Sequence, residues 1–201
     1  MRLGFVRAMA GILQMRDPYL CQHAVRVSRC AGLLGEQLGL SEQLLLDMTA
    51  ASFLHDLGTV GSSTPIYSRV NGNGFIPEKH TAAAAEVISC VNELKDTADI
   101  VRYHYENFDG SGAPLGLIGD QIPLTVRILR VVKEFDLLTN PRDEQQSVNY
   151  EDALERLKRG SGREFDPVVI ETFCEAGPEV LELVPAGFSE MPLHRQIVHI
   201  Q

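Results

Sequence analysis

Residues 41–58 read SEQLLLDMTAASFLHDLG, and this stretch predicts the centre of the fold. Ser41 is a good helix N-cap, and the apolar residues after it lie on nearly every side of the predicted helix. A helix with this pattern is buried by its neighbours. It stops at Gly58, just after His55 and Asp56, so it carries two polar side chains into the interior. These two residues are therefore the first candidates for a functional site.

Further helices are predicted on both sides of this segment. Asp17 followed by Pro18 is typical of a helix start, and apolar residues recur at helical spacing from there to Gly39. Pro123 opens another long helix. The other predicted helices are an amphipathic N-terminal one and those near residues 78–92, 96–105, 150–159 and 166–175. The predicted fold class is all-α, a bundle of about seven to eight helices.

Composition limits the classes of function. The chain has 201 residues, a formal net charge of −9 and no cluster of Lys and Arg, so we expect no nucleic-acid partner. No apolar run is long enough to cross a bilayer, and we expect no membrane association. The four cysteines show no CxxC spacing, which predicts reduced, buried thiols of a cytoplasmic protein rather than metal ligands.

Two segments lie outside the helical pattern. Residues 59–77 are rich in Gly, Ser, Pro and Asn and predict a long loop, a kind of segment that is usually functional. Residues 177–201 mix β-branched with polar residues, which is compatible with either a short strand or an extended arm. We predict one domain over residues 1–176, with residues 177–201 as a C-terminal extension packed on it.

Four histidines stand at the boundaries of predicted elements, namely His23, His55, His80 and His104. A single histidine in a helix is more often a packed residue than a ligand, but the four together with Asp56 match the ligands of Mn, Fe or Zn. A metal ion would compensate the burial of His55 and Asp56. Alternatively, Asp56 orients His55 or caps a neighbouring helix, and the residue types leave both interpretations open.

Six motifs, taken in order, resemble one known family. They are DPYLCQHAVRV, FLHDLGTVG, EKH, YHYENFDGSGAPLGLIGDQIPL, RILRVVKEFDLLT and EFDPVVIETF. Together they resemble the HD-GYP domain, the cyclic di-GMP phosphodiesterase branch of the HD superfamily, over roughly residues 3–175. The resemblance implies an all-α core with two or three iron or manganese ions, which activate a water for attack on a phosphodiester.

The resemblance also implies roles for individual residues. His55 and Asp56 match the motif that names the family, and His80 and His104 match further metal ligands. His23 matches a more peripheral position that is associated with an additional metal. Asp56 would take a catalytic role if the domain were active, although we expect no catalytic residue in an inactive one.

At two ligand positions the sequence departs from the family pattern. Tyr105 stands where the resemblance implies a second histidine, and Lys133 stands where it implies the Asp that closes the metal site. An ammonium about 4 Å from a divalent ion is repelled by roughly 8 kcal/mol at an effective dielectric near 20. We therefore predict either no metal or a single weakly held Fe, Mn or Zn ion.

The ligand contacts are reduced in a similar way. Thr59 replaces the Lys that follows the HD motif, and Ala113 replaces the Tyr of the GYP signature. Arg142 retains one cationic position, and Gln145 stands where the resemblance implies a second cation. The resemblance leaves three ligand-binding candidates, Arg142, Gly110 and Gly112. For the two glycines, the preferred alternative is a purely structural role in turns.

Three hypotheses follow. The first is a degenerate HD-GYP-like domain that binds cyclic di-GMP or a signalling protein, such as a GGDEF-domain or receiver-domain protein or a second copy of itself, with little or no hydrolysis. The second is a metal-dependent cyclic di-GMP phosphodiesterase with a reduced metal site. The third is a helical scaffold with neither property. Lys133 and Tyr105 favour the first, which predicts that the Lys133 ammonium lies near His55 and Asp56.

Overall fold

A computed structural model describes residues 2–61, 77–142 and 147–181. In these three ranges the chain forms eight α-helices, and no strand occurs beyond isolated bridges. The helices are α1 (Arg2–Arg16), α2 (Pro18–Gln37), α3 (Glu42–Leu54), α4 (Pro77–Ser89), α5 (Lys95–Tyr103), α6 (Leu124–Thr139), α7 (Tyr150–Arg159) and α8 (Pro167–Ala176). The predicted all-α class is confirmed.

Local capping chemistry explains where several helices begin. The side chain of Asp17 accepts a hydrogen bond from the backbone N–H of Tyr19, with proline in the first turn of α2. Ser41 caps α3 in the same manner, and Asp166 caps α8. These caps involve residues two or three positions apart, which is why the helix starts were predictable from the sequence.

The core lies around α2, α3 and α6. Helix α2 packs against both α3 and α6, while α5 packs against α3 and α4. The sequence predicted that α3 would be buried on nearly all sides. The second half of the helix is buried in this way, but the first half exposes Leu44 and Leu46. The deeply buried C-terminal end of α3 delivers His55 and Asp56 to the interior.

The cysteines differ in exposure. Cys21 and Cys30 are buried as predicted and Cys174 is half-buried, but Cys90 is exposed, so the prediction of buried thiols is wrong there. The reason is its position, because Cys90 follows the last turn of α4, where the chain has reached the surface. In the part of the chain that the structure describes, no helix is long and apolar enough to cross a membrane.

Some predictions fall on residues outside the described ranges. They concern most of the loop at residues 59–77, Gln145, and residues 182–201 of the predicted C-terminal extension. Of that extension, Gly177–Leu181 forms a 3-10 helix in which Val180 is buried.

Candidate metal and ligand site

The histidines predicted from the sequence meet in the interior. His55 and Asp56 follow directly after α3, while His23 lies on α2, His80 on α4 and His104 at the end of α5. All five side chains are buried. The His55 ring contacts those of His23 and His104, with centroid distances of 5.1 and 5.4 Å. Side chains from four helices therefore form one buried group.

A close backbone approach positions His80. A Cβ atom at Gly58 would lie 1.9 Å from the carbonyl oxygen of His80, so only glycine permits α4 to pack on the turn after Asp56. Thr59, in the same turn, is buried, and its hydroxyl has no hydrogen-bond partner among the described residues. At the position where the family resemblance implies a lysine, the structure thus offers a neutral side chain.

His23, His55 and Asp56 form the tightest part of the group. Oδ2 of Asp56 lies 3.3 Å from Nε2 of His55 and 4.0 Å from Nε2 of His23. One ligand atom from each of the three residues lies within 4.8 Å of the others. His23 is therefore central to this cluster rather than peripheral, because its helix packs directly against α3.

Hydrogen bonds behind the rings determine which nitrogen atoms face the group. Nδ1 of His23 lies 2.6 Å from Oδ2 of Asp136, and Nδ1 of His55 lies 2.8 Å from the carbonyl oxygen of Ser52. These oxygens accept, so both Nδ1 atoms donate, and neutral rings then carry their lone pairs on Nε2. The two Nε2 atoms are 3.2 Å apart. A shared cation would satisfy both lone pairs, so this cluster fits one metal ion.

The other side of the group contains His80, His104, Tyr105 and Lys133. The Tyr105 ring lies 4.4 Å from the His104 ring and 5.6 Å from the His80 ring, measured between centroids. Nζ of Lys133 lies 3.4 Å from the centroid of the Tyr105 ring, and Lys133 is only 2% exposed. A buried ammonium is thus held on an aromatic face, in a cation–π contact.

The charge of Lys133 acts on both neighbouring histidines. The pKa of His104 lies well below its usual value, mainly because the ring is buried and secondly because of the positive charge of Lys133. Burial also lowers the pKa of His80 to about 4, a shift that Asp56 opposes and Lys133 reinforces. Two neutral imidazoles beside a fixed ammonium do not fit a second divalent ion, because the ammonium would repel it.

Asp136 was not predicted from the sequence. Besides His23, its carboxylate accepts hydrogen bonds from Nε and Nη2 of Arg26, at 2.5 and 2.9 Å. Burial alone raises the pKa of Asp136, but the hydrogen bonds and charges of His23 and Arg26 hold it below its usual value. The sequence contains one sign of this role, because Asp136 lies among the apolar residues that form the buried face of α6. The carboxylate orients His23, as second-layer carboxylates commonly do.

The Gly-rich turn at residues 109–121 owes its shape to backbone constraints. Gly110 has a φ of +82°, in the left-handed region, and a Cβ at Gly112 would lie 2.2 Å from the backbone nitrogen of Asn107. The buried Glu106, also not predicted, accepts backbone hydrogen bonds from Leu115 and from residue 117. The structural role of both glycines is therefore accounted for without a ligand.

Arg142 lies at the edge of the site. Its guanidinium forms an ion pair with Asp17 and lies 5.9 Å from the centroid of the Tyr19 ring. That ring in turn stacks on His23, with centroids 6.2 Å apart and an interplanar angle of 4°. A ligand phosphate at Arg142 would lie near the histidine group and would compete with Asp17.

Comparison with known proteins agrees with this architecture. Residues 7–169 match the family model for the HD domain. The chain belongs to the HD domain family. This HD domain is 31% identical, over 187 residues, to the cyclic di-GMP phosphodiesterase response regulator RpfG of Xanthomonas campestris, with 90% of the chain and 49% of RpfG covered.

Two solved structures share the fold of this HD domain. The cyclic GMP-AMP specific phosphodiesterase V-cGAP3 of Vibrio cholerae superposes with a TM-score of 0.74 at 21% identity, covering 100% of this chain and 54% of that one. Bd1817, an HDG"Y"P protein of Bdellovibrio bacteriovorus, has a TM-score of 0.66 at 19% identity, covering 80% and 53%. The chain thus spans about half the length of each relative.

Proposed function

We propose that this HD domain acts in cyclic dinucleotide signalling by binding a ligand or a partner protein, with little or no phosphodiester hydrolysis. The observation that carries the proposal is the buried Lys133 ammonium on the Tyr105 ring, beside His80 and His104. The names of the relatives support the signalling class, because they are phosphodiesterases of cyclic di-GMP and cyclic GMP-AMP.

The geometry argues against efficient hydrolysis. In two-metal sites, the two ions together stabilise the attacking and the leaving oxygen of a phosphoryl displacement. Among the residues that the structure describes, only the cluster of His23, His55 and Asp56 fits an ion. The other half of the group contains one fixed positive charge, the Lys133 ammonium on the Tyr105 ring. We therefore expect turnover to be absent or very slow.

Cyclic di-GMP is the ligand that we propose. Guanidinium groups are well suited to phosphates, and Arg142 is a cation beside the histidine group. The turn that contains Gly110 and Gly112 completes the proposed ligand-binding set. Since Asp17 already pairs with Arg142, binding requires the phosphate to replace this carboxylate as the partner of the guanidinium.

Binding and hydrolysis measured on the same preparation test this function. The protein is purified without chelator and supplied with Mn²⁺; calorimetry then follows cyclic di-GMP binding, and chromatography follows product, with RpfG as the positive control for hydrolysis. We expect binding without product. Turnover comparable to that of RpfG would overturn the proposal. Absence of both binding and product would favour the scaffold hypothesis.

A phosphodiesterase with a reduced metal site is the second candidate. The observation in its favour is that the Nε2 atoms of His23 and His55 face each other beside Asp56. In this candidate, His55, Asp56, His80 and His104 would hold a single Fe, Mn or Zn ion. A bound ion would supply a polarised water at neutral pH. Stoichiometric metal together with product formation would establish this candidate.

Protein partners and location are also part of the proposal. The response-regulator name of RpfG supports a receiver-domain protein as the partner, and a GGDEF-domain protein or a second copy of the chain is the alternative. We propose a cytoplasmic location, which is consistent with four free thiols. Light scattering during size-exclusion chromatography, with and without cyclic di-GMP, measures whether the chain dimerises.

A further inference from the structure

Two departures from the family pattern meet in a single contact. Lys133 comes from α6 and Tyr105 follows the end of α5, and the Lys133 ammonium lies 3.4 Å from the centroid of the Tyr105 ring. The contact is buried, since Lys133 is 2% exposed. A buried ammonium needs compensation, and an aromatic face supplies more of it when water is excluded.

The rings that link the two ends of the site form a row. Centroid distances are 5.1 Å from His23 to His55, 5.4 Å from His55 to His104, and 4.4 Å from His104 to Tyr105. Lys133 lies at the Tyr105 end of this row. The cluster that fits an ion lies at the His23 end.

We propose that Lys133 and Tyr105 form one unit, a fixed internal cation that replaces a metal ion beside His80 and His104, so that the chain holds at most one ion. That ion lies at His23, His55 and Asp56. The inference deepens the proposed function and rests on it for its consequence, the loss of hydrolysis. Its own content is the metal stoichiometry and the interdependence of the two residues.

The chemistry of both side chains supports this assignment. The single positive charge of Lys133 is compatible with two neutral histidines and with an aromatic face. An additional divalent ion at the same place would be repelled by the Lys133 ammonium. Tyr105 supplies an aromatic face for the cation in place of the imidazole nitrogen that a histidine would offer to a metal ion.

Metal stoichiometry tests the inference directly. Wild-type protein, Lys133→Asp, and the double variant Lys133→Asp/Tyr105→His are stripped with chelator, loaded with Mn²⁺, desalted and measured by mass spectrometry. We expect at most one ion in the wild type and one additional ion in the double variant. Lys133→Asp alone should bind the additional ion at least about tenfold more weakly, because it lacks one imidazole ligand.

The matched control is Lys158→Asp, which makes the same charge change on the exposed face of α7. It should leave the stoichiometry unchanged. Circular dichroism and thermal melting establish that each variant is folded. Two ions in the wild type, or no additional ion in a folded double variant, would overturn the inference.

A thermodynamic cycle provides a second test that needs no new metal site. Lys133→Met, Tyr105→Leu and the combined variant retain apolar volume and are compared with the wild type by denaturant unfolding. We expect a coupling of roughly 30-fold in the unfolding equilibrium constant, which corresponds to about 2 kcal/mol for a desolvated cation–π pair. Additive effects would overturn the claim that the two residues form one unit.

The outcomes separate this inference from the proposed function. Hydrolysis of cyclic di-GMP by wild-type protein with a single ion would overturn the proposed function and leave the inference standing. Two ions without hydrolysis would do the reverse.

Discussion

Replacement of Asp136 by Asn removes a negative charge that three side chains share. The carboxylate accepts hydrogen bonds from Nδ1 of His23 at 2.6 Å, from Arg26 at 2.5 and 2.9 Å, and from Asn140 at 3.2 Å. Asp136→Asn retains the shape and one acceptor oxygen. The Arg26 guanidinium nevertheless loses its counter-charge, and Nδ1 of His23 loses a charged acceptor, so we expect the variant to be less stable.

The size of the effect follows from the burial of the partners. Removal of one member of a buried ion pair costs about 3–5 kcal/mol. The lower end applies here, because the Arg26 side chain is 21% exposed and can be partly hydrated. We expect a loss of about 3 kcal/mol in the free energy of unfolding. In a domain of this size, that loss lowers Tm by roughly 6–12 °C.

Urea unfolding and thermal melting of chelator-treated protein measure this loss. The matched control is Asp120→Asn, because the Asp120 carboxylate also accepts a hydrogen bond from an arginine, Arg127 at 3.0 Å, but its side chain is 94% exposed. The control should lose no more than about 1 kcal/mol. Equal losses in the two variants would refute the reasoning, since burial would then make no difference to the network.

Three further predictions follow from the contacts above. Gly112→Ala should lower the free energy of unfolding by about 1–3 kcal/mol or more, because its Cβ would lie 2.2 Å from a backbone nitrogen. The control Gly32→Ala, with nothing within 4 Å of its Cβ, should stabilise α2 by about 0.5–1 kcal/mol. Urea unfolding compares the two variants, and a Gly112→Ala variant as stable as the wild type would contradict the close approach. Arg142→Ala should weaken cyclic di-GMP binding about tenfold or more. Asp17→Asn keeps a helix cap but removes the carboxylate that competes for Arg142, so it should strengthen the binding. Calorimetry measures both affinities, and unchanged affinities would favour the scaffold hypothesis. Cys90→Ser should abolish the fast reaction with a thiol reagent, because Cys90 is exposed while burial raises the pKa of the Cys30 thiol; a fast phase that persists would show that another cysteine is accessible.

The helical framework was predictable because its determinants are local. Asp17 and Ser41 cap helices through backbone groups two or three residues away. Periodic apolar residues then mark each buried face. The same local pattern placed His55 and Asp56 at the buried end of α3, so the centre of the candidate site was predictable as well.

The supporting residues were not predictable in this way. Asp136 lies 110 residues from Arg26 and 113 from His23 along the chain, and its role depends on how α2 and α6 pack. Gly58 and Gly112 were recognisable as turn residues, but the groups that approach them come from the packed backbone. Contacts of this kind leave no spacing pattern in a single sequence.

By itself, the sequence determined the all-α class, the helix starts, the candidate metal ligands, and the two positions that depart from the family pattern. Only the tertiary structure decided that His23 joins His55 and Asp56, and that Lys133 lies on the ring of Tyr105. The physical reason is the range of the interactions. Caps and amphipathic faces are encoded within a few residues, whereas a contact between side chains of different helices exists only once those helices have packed.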